Sequence, residues 1–385
     1  MSKLPGGEDH VSSGLAETQA CVLLAEVDTA CGRRFGRATL NSTATLNALT
    51  LDMINLLGPA LDRWARDPRI VGIVLDAVGD KAFCAGGDLQ RLYASMNNTK
   101  KGEIPLDAAQ FFEHEYRLDY QIHTYPKPVL CWGHGIVMGG GIGLLAGASH
   151  RVATPQTRLA MPEISLGLYP DVGGSWFLRR APGKSGLFLA LTGASMNALD
   201  ARFVGLVDFV VGHDQKSTLL ASIAGSHWLD DPEANSAQLS HFLGQHASKA
   251  ELKESQIRKH YDLIDETIGH DSLADIAHRL EALTQHDDRW LSQAATTFVK
   301  GSPTSAALSF ALWRRVLHLS MADVLRLEYH VSVACARFGD FAEGIRALII
   351  DKDREPRWHP ASLAEVSQAH IQSFMQPPHP LADLV

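Results

Sequence analysis

The stretch PVLCWGHGIVMGGGIGLLAGASH (residues 128–150) decides how the rest of the sequence is interpreted. It contains no Asp, Glu, Lys or Arg and is about as long as a membrane-spanning helix must be. Seven of its residues are glycines, however, and glycine destabilises a helix interior. The apolar run Val129–Trp132 is typical of a strand buried on both faces, and Ile142–Ala148 can begin a helix. The stretch therefore predicts a strand, a glycine-rich turn and a helix rather than a membrane span.

Strand and helix signals continue on both sides of this stretch. They predict a hairpin over Ala20–Leu40, helices over Asn47–Arg66 and Leu106–Tyr125, and strands over Ile70–Ala77 and Arg151–Ala160. Strands that alternate with helices indicate an α/β core as far as about Val211. Strand signals almost vanish from Lys216 onward. We therefore divide the chain into a flexible tail (1–20), an α/β core (21–215) and a helical C-terminal region (216–385).

Composition and charge exclude several classes of protein. The 385 residues are 45% hydrophobic, with 35 Lys and Arg against 43 Asp and Glu. The resulting net charge of −8 argues against sequence-independent binding to nucleic acid. Five scattered cysteines without a C-x-x-C pair indicate a reducing compartment and no zinc site, and the acidic N-terminus resembles no secretory or transit signal. We expect a cytoplasmic protein with neither a nucleic-acid nor a membrane partner.

Two glycine-rich turns, Cys84–Asp88 and Met138–Gly141, each follow a predicted buried strand and precede a helical segment. Glycine lets backbone N–H groups approach a ligand, and two such groups can hold the oxyanion of a thioester or an enolate. The alternative is a pair of tight strand-to-helix turns without a ligand. Cys84 itself is interpreted as a small buried hydrophobe rather than a nucleophile.

Two nucleotide-binding patterns are incomplete. Gly141-x-Gly143-x-x-Ala146 formally fits the dinucleotide fingerprint, but two strand-helix units precede it, whereas this turn normally follows the first strand of its domain. The GKS at residues 183–185 lacks the glycine that a phosphate loop needs five positions earlier, where Leu178 stands. We reject both interpretations.

The segment MPEISLGLYPDVGG (residues 161–174) places two carboxylates, Glu163 and Asp171, among apolar residues, prolines and glycines. An apolar environment raises the pKa of a carboxyl group, which suits it to acid–base chemistry near neutral pH. The alternatives are an acid in the first turn of a helix for Glu163 and a turn or helix N-cap residue after Pro170 for Asp171.

Three segments together make the sequence recognisable: AFCAGGDL (82–89), GHGIVMGGGIGLLAGASHRVAT (133–154) and MPEISLGLYPDVGGSWFL (161–178). They resemble the crotonase (enoyl-CoA hydratase/isomerase) superfamily and, within it, the 3-hydroxyisobutyryl-CoA hydrolases. The resemblance runs from about Cys21 to Met375 and includes FFEHEYRL (111–118), SPTS (302–305), LRLEY (325–329) and FAEGIRALIIDKDREPRW (341–358). It implies a ClpP/crotonase-like spiral of β-β-α units, followed by the helical C-terminal region.

The resemblance also implies seven residues of an active site. They are the catalytic Glu163 and Asp171, the oxyanion-hole residues Gly87 and Gly140, and the substrate-binding residues Glu115, Ala85 and Asp88. Without the resemblance, Glu115 reads as an ordinary exposed acid of a helix.

The implied reaction is hydrolysis of a short, branched 3-hydroxyacyl-CoA thioester, in particular 3-hydroxyisobutyryl-CoA, to the free acid and CoA during valine degradation. Glu163 would either attack the carbonyl carbon or activate water as a general base, and Asp171 would orient the substrate hydroxyl or the water. Neither a metal nor a redox cofactor is expected, since coenzyme A is part of the substrate.

Two departures leave alternatives open. One glutamate of the hydratases is replaced by Gly143, which argues against an enoyl-CoA hydratase or isomerase; a non-catalytic binding protein is the other alternative. A family segment of the type N-R-P-K, whose basic residue helps to bind the CoA phosphates, is Asn41–Ala44 here. The phosphates would then depend on other cations, such as Arg91, Lys184 or Lys352. A homo-oligomer is compatible with the family.

Overall fold

The computed structural model describes residues 20–248, 252–269 and 271–377, so that nearly all of the predicted tail lies outside the described residues. Within those ranges the chain forms nine strands and seventeen α-helices. The strands are β1 (Val22–Asp28), β2 (Arg34–Leu40), β3 (Ile70–Ala77), β4 (Ala82–Cys84), β5 (Val129–Gly133), β6 (Ile136–Met138), β7 (His150–Ala153), β8 (Arg158–Ala160) and β9 (Phe209–Val210). The helices are α1 (Leu51–Arg66), α2 (Leu89–Asn98), α3 (Leu106–His123), α4 (Gly140–Gly147), α5 (Gly174–Arg179), α6 (Ser185–Thr192), α7 (Ala198–Phe203), α8 (Lys216–Ala224), α9 (Pro232–Gln245), α10 (Gln256–Lys259), α11 (Tyr261–Ile268), α12 (Leu273–Ala282), α13 (Arg289–Lys300), α14 (Pro303–Arg315), α15 (Met321–Phe338), α16 (Asp340–Ile345) and α17 (Gln368–Phe374).

The strands form two sheets that the chain visits alternately. The larger sheet has the order β1-β2-β3-β5-β7-β9, in which β1 and β2 are antiparallel and the later pairs are parallel. The smaller sheet, β4-β6-β8, is parallel throughout. Each unit contributes one strand to each sheet before a helix follows: β3, β4 and α2, then β5, β6 and α4, then β7, β8 and α5. This confirms the predicted spiral of β-β-α units.

The larger sheet is covered on both faces, which explains the continuous apolar character of its central strands. All eight residues of β3 are buried. On one face, Val71, Val74 and Trp132 pack with residues of α8 and α9. On the other face, the strands join an apolar core that includes α1, α3 and α4 and extends into the C-terminal helices. The core therefore continues across the predicted division at residues 215 and 216.

Two elements differ from their predictions. The first helix begins at Leu51 rather than Asn47, because Leu46 and Asn47 adopt positive φ angles of 55° and 56°. The Asn47 amide donates to the carbonyls of Val78 and Ala82 and so joins this turn to the loop before β4. The strand predicted over residues 151–160 is two strands, β7 and β8, which lie in different sheets.

The uncharged stretch at residues 128–150 forms β5, β6 and α4, as its glycines predicted. Its strands and helix are largely buried in the protein core. Among the described residues, no helix combines the length and the apolar character needed to cross a bilayer.

Candidate active site

A pocket of about 210 Å³ opens where the two glycine-rich turns follow the neighbouring strands β4 and β6. Three of its described lining residues are ionisable, Glu115, Glu163 and Asp171, and most of the others are apolar or glycine. The lining residues are Ala85, Gly86, Gly87, Leu89, Leu92, Phe111, Phe112, Glu115, Met138, Gly139, Gly140, Pro162, Glu163, Leu166, Leu168, Asp171, Val172, Phe341, Leu348 and Ile349. Six of the seven residues implied by the resemblance thus meet in one cavity.

Each glycine-rich turn contributes one of the predicted oxyanion-hole residues, Gly87 or Gly140, to the lining of this pocket. Two backbone hydrogen bonds with Leu49 fix the first turn. The Leu49 N–H donates to the Gly86 carbonyl (2.8 Å), and the Leu49 carbonyl accepts from the Asp88 N–H (3.0 Å). The Gly87 N–H between these bonds has no acceptor within the described part of the chain. Gly140 begins α4, where a first-turn N–H has no partner within its own helix. Both glycines therefore line the pocket at positions where the described residues provide no acceptor for the Gly87 N–H and no intrahelical acceptor for the Gly140 N–H.

Glu163 lies in a short 3₁₀ turn after β8, with 3% of its surface exposed. Its Oε2 atom has no hydrogen-bond partner among the described residues. The other oxygen, Oε1, faces the second glycine turn, since a Cβ placed on Gly139 would lie 3.2 Å from it. Burial, and then the neighbouring Asp171, raises the pKa of Glu163 well above its ordinary value. The protonated form of Glu163 is therefore favoured more than that of an exposed glutamate.

Asp171 is buried beside Glu163, and Tyr116 donates a hydrogen bond of 2.6 Å to its Oδ2. Burial raises the pKa of Asp171 to about 6, although the hydrogen bond from Tyr116 opposes the shift. Asp171 does not cap a helix, because Gly173 occupies the N-cap position of α5. The N-cap alternative is therefore wrong, whereas the turn alternative is confirmed, because the Gly174 N–H donates to the Asp171 carbonyl and closes a turn.

Glu115 projects from α3 into the pocket and is 3% exposed, so that its alternative as a surface acid is also wrong. Its Oε1 lies directly against Gly140, where any Cβ would collide with it. Burial raises the pKa of Glu115 well above the ordinary value, and the charges of Asp119, Asp171 and Glu163 add to the effect.

Of the other residues discussed from the sequence, only Ala85 lines the pocket. Asp88 lies outside the lining and instead caps α2, where its side chain accepts the N–H of Arg91. The Arg91 side chain is 65% exposed. Lys184 lines a separate cavity, and Lys352 is exposed just after the lining residues Leu348 and Ile349. Cys84 is buried, and burial raises the pKa of its thiol to about 12, which makes it a poor nucleophile.

Sequence reasoning missed Asp119, which lies one helical turn after Glu115 and is 1% exposed. Neither of its carboxylate oxygens has a partner among the described residues. Asp119 occupies the space beside Gly143, because a Cβ on that glycine would lie 2.8 Å from Asp119 Oδ1 and 2.8 Å from Val172 Cβ. The four-residue spacing from Glu115, which puts both side chains on one helix face, could have revealed it.

Glu328 on α15 is the second missed residue, and it is fully buried. Its two carboxylate oxygens accept the N–H groups of Gly173 (2.7 Å) and Ser175 (3.0 Å). Burial raises the pKa of Glu328 to about 8. The segment LRLEY contains this residue, but the sequence offered no signal that it would reach the loop after Asp171.

Five buried carboxyl groups thus surround or support the pocket, and no ion pair joins any of them to a Lys, Arg or His in the described ranges. Nor is any group of three or more His, Cys, Asp or Glu residues there arranged to hold a metal ion. Burial without a cation favours the neutral form of a carboxyl group, and it raises the pKa values of all five groups.

Comparison with known proteins agrees with this geometry. The model of the enoyl-CoA hydratase/isomerase family matches residues 35–375. The chain belongs to the enoyl-CoA hydratase/isomerase family. This family member is 36% identical over 339 residues to the mitochondrial 3-hydroxyisobutyryl-CoA hydrolase of Danio rerio, an alignment of 87% of this chain and 85% of the relative. It is 34% identical over 344 residues to the human protein of the same name, covering 89% and 86% of the two chains.

Solved structures of the family share the fold over nearly the whole chain. A carnitinyl-CoA dehydratase from Mycobacterium thermoresistibile is 35% identical, with a TM-score of 0.82 over 94% of this chain and 97% of that one. An enoyl-CoA hydratase from Rhodobacter sphaeroides 2.4.1 is 34% identical, with a TM-score of 0.80 over 93% and 98%. The crotonase fold is therefore confirmed, and this member of an enzyme family is an enzyme rather than a non-catalytic binding protein.

Proposed function

We propose that this enzyme hydrolyses the thioester of a short, branched 3-hydroxyacyl-CoA, with 3-hydroxyisobutyryl-CoA as its substrate, and that it acts in valine degradation. The observation that carries the proposal is the buried pair Glu163 and Asp171 in one pocket, combined with the absence of a carboxylate at Gly143. The names of the curated relatives from Danio rerio and human support the same substrate.

The two glycine N–H groups act on the thioester carbonyl. When the carbonyl oxygen lies between Gly87 and Gly140, both donors stabilise the negative charge that develops as the carbon becomes tetrahedral. The positive end of α4 adds to this at Gly140.

Glu163 supplies the chemistry at the carbonyl carbon by one of two balanced routes. As a nucleophile, its carboxylate forms an anhydride and expels the CoA thiolate, and water then hydrolyses the anhydride. As a general base, it takes a proton from water while the water oxygen attacks, and the thiolate leaves with that proton. Both routes give the free acid and CoA, and both need ionised Glu163.

Asp171 and Glu115 recognise the polar part of the acyl group. The Tyr116 hydroxyl holds one oxygen of Asp171, which leaves the other free for the substrate hydroxyl or a water. The lining residues Phe111, Phe112 and Phe341 give the pocket an apolar wall that suits a branched hydrocarbon. Glu115 lies next to Gly140 and so adjoins the bound carbonyl.

Hydration of an enoyl-CoA is the second candidate, because the two solved structures described above are named a dehydratase and a hydratase. That reaction uses a glutamate at the position of Gly143 in the family. Here that position has no side chain, and the carboxylate of Asp119, which fills the space beside it, belongs to a residue outside the pocket lining. The geometry favours hydrolysis.

Free-thiol release from 3-hydroxyisobutyryl-CoA tests the proposal. We expect rapid release by the wild type, loss of release in Glu163→Gln, and no change in Glu233→Gln, which alters an exposed glutamate at the start of α9. Crotonyl-CoA, followed in parallel for loss of its double bond, should be left intact. Consumption of crotonyl-CoA without thiol release would overturn the hydrolase and favour the hydratase.

We extend the proposal to the enzyme's cofactor requirement, the binding of the CoA phosphates, its cellular compartment and its oligomeric state. The reaction requires no cofactor beyond the coenzyme A of the substrate, and cations such as Arg91, Lys184 or Lys352 bind its phosphates. The enzyme acts in the cytoplasm, in keeping with its five free cysteines. Size-exclusion chromatography with light scattering tests whether it forms a homo-oligomer.

A further inference from the structure

The loop that carries Asp171 has an unfavourable backbone. Val172, directly after the carboxylate, has a φ of 53°, a left-handed conformation that β-branched residues rarely adopt. Gly173 follows with a φ of 79°, and the Gly174 N–H closes the turn by donating to the Asp171 carbonyl at 2.6 Å. Such a conformation is unfavourable and persists only when its surroundings enforce it.

Glu328 is the group that enforces this turn. It reaches from α15, more than 150 positions away in the chain, and its carboxylate accepts the N–H groups of Gly173 and Ser175 at 2.7 and 3.0 Å. With no surface exposed to solvent, it bonds the two residues that follow Val172 without competition from water.

One turn further along α15, Ser332 holds the side-chain end of the same site. Its hydroxyl lies 2.7 Å from the Tyr116 hydroxyl, which donates to Asp171, and 2.9 Å from the Tyr169 hydroxyl. Tyr169 in turn donates to the Glu328 carbonyl at 2.7 Å. Residues of α15 therefore hold both the backbone of the Asp171 loop, through Glu328, and the Asp171 carboxylate, through Ser332 and Tyr116.

We propose that Glu328 is a positioning residue, which holds the Val172–Ser175 turn so that the Asp171 carboxylate points into the pocket. The proposal rests on the proposed function in so far as Asp171 takes part in the reaction. It gives the helical C-terminal region a direct part in the catalytic geometry of the core.

Only a carboxylate can accept both hydrogen bonds that hold this turn. The N–H groups of Gly173 and Ser175 converge on Glu328, and each needs an acceptor. A glutamine offers one acceptor oxygen and turns its NH₂ group toward the second N–H, so that one bond is lost while the volume is kept. A carboxylate satisfies both donors, and its bonds are charge-assisted when it is ionised.

The test is the kinetics of Glu328→Gln on 3-hydroxyisobutyryl-CoA. We expect kcat to fall by about 10²-fold, the loss that a misplacement of about 1 Å can cause. We expect KM to stay within about threefold, because the pocket walls are unchanged and the loss is confined to the transition state.

The matched control is Asp200→Asn on α7. Asp200 is a buried carboxylate that likewise accepts two backbone N–H groups, from Asn197 and Ile257, and it lies outside the pocket lining. This substitution should lower the melting temperature and leave kcat unchanged.

The double variant Glu328→Gln/Asp171→Asn separates positioning from general stability. If Glu328 acts through Asp171, its substitution should lower kcat by less than about twofold once Asp171 is already Asn, because coupled residues are not additive. Should Glu328→Gln fail to fold, Glu328→Asp keeps the charge and is expected to lower kcat in the same sense. Wild-type kcat in a folded Glu328 variant, or additive losses in the double variant, would overturn the inference. A wild type without thiol release would instead show that the proposed function is at fault, and the inference would fall with it.

Discussion

Two regions of the core bury carboxyl groups in opposite ways. Asp76, near the end of β3, is fully buried and receives hydrogen bonds from Arg37 (2.7 Å) and Thr39 (2.6 Å), with Lys216 2.9 Å away. Burial alone would raise the pKa of Asp76, but the charge of Lys216, the bonds from Arg37 and Thr39 and the charge of Arg37 outweigh it, and the pKa lies below its ordinary value. The Asp76 carboxylate is therefore charged at neutral pH, and the positive charges of Arg37 and Lys216 compensate it.

The carboxyl groups in and around the pocket have no such cations among the described residues. Burial, unopposed by any cation, raises the pKa values of Glu115, Asp119, Glu163, Asp171 and Glu328. The fold evidently can supply cations to a buried carboxylate, as it does for Asp76. Around the pocket the described residues supply none, so these carboxyl groups are not held in the charged state as Asp76 is.

The largest expected effect distinguishes the two regions by activity. Glu163→Gln should lower kcat by about 10³-fold, within the range for loss of a general base. Its free energy of unfolding should not decrease, because the glutamine removes a buried ionisable group that has an unpaired oxygen. Thiol release and urea denaturation of one preparation measure both quantities. A variant that lost stability together with activity would contradict the contrast with Asp76.

Asp76→Asn should show the reverse pattern. We expect it to lower the free energy of unfolding by about 3 kcal/mol, the lower end for a broken buried pair because the Arg37 side chain is 34% exposed. The value of kcat should stay within about twofold of the wild type, since Asp76 is outside the pocket lining. Asp230→Asn, which removes an exposed acid near Arg33, should cost less than about 1 kcal/mol in the same denaturation experiment. Equal losses in both variants would refute a special role for Asp76.

Asp119→Asn should stabilise the protein, and more so at alkaline pH. The raised pKa of Asp119 means that the folded state retains a proton that the unfolded state releases, so its stabilising contribution is lost as the pH rises through the folded pKa. The asparagine avoids this loss, and we expect a gain of about 2 kcal/mol at pH 9 and a smaller one at pH 6. Urea denaturation at the two values measures it. A difference that did not vary with pH would show that Asp119 is not buried as a neutral acid.

The smallest expected effect is the pH dependence of the wild type. The reaction needs ionised carboxylates in the pocket, and burial raises the pKa of Asp171 to about 6. The value of kcat/KM should therefore be about tenfold lower at pH 5 than on its plateau, with an apparent pKa that belongs to the coupled carboxyl groups. Steady-state rates from pH 5 to 9 measure it. A plateau that extended down to pH 5 would show that the pocket does not raise these pKa values.

Local sequence predicted much of the fold. The strand Ile70–Ala77 was predicted with its observed bounds, because a continuous β-branched run indicates burial on both faces. The single strand predicted for residues 151–160 was wrong because the Thr157 hydroxyl accepts the Thr154 N–H and closes a turn in its middle. A helix predicted to start at Asn47 starts later, since the Asn47 side chain bonds to carbonyls more than 30 positions away.

The sequence by itself determined the pattern of chemistry: two glycine turns after strands, and Glu163 and Asp171 eight residues apart in an apolar segment. These signals are local, because turn conformation and apolar surroundings depend on neighbouring residues. Only the tertiary structure decided that Asp119 lies against Gly143 and that Glu328 holds the Asp171 loop. Both helices bury many of their residues, but no local pattern shows which groups the carboxylates of Asp119 and Glu328 meet. Their burial, and with it their pKa values and roles, comes from the packing of α15 on α3, which joins segments some 200 positions apart.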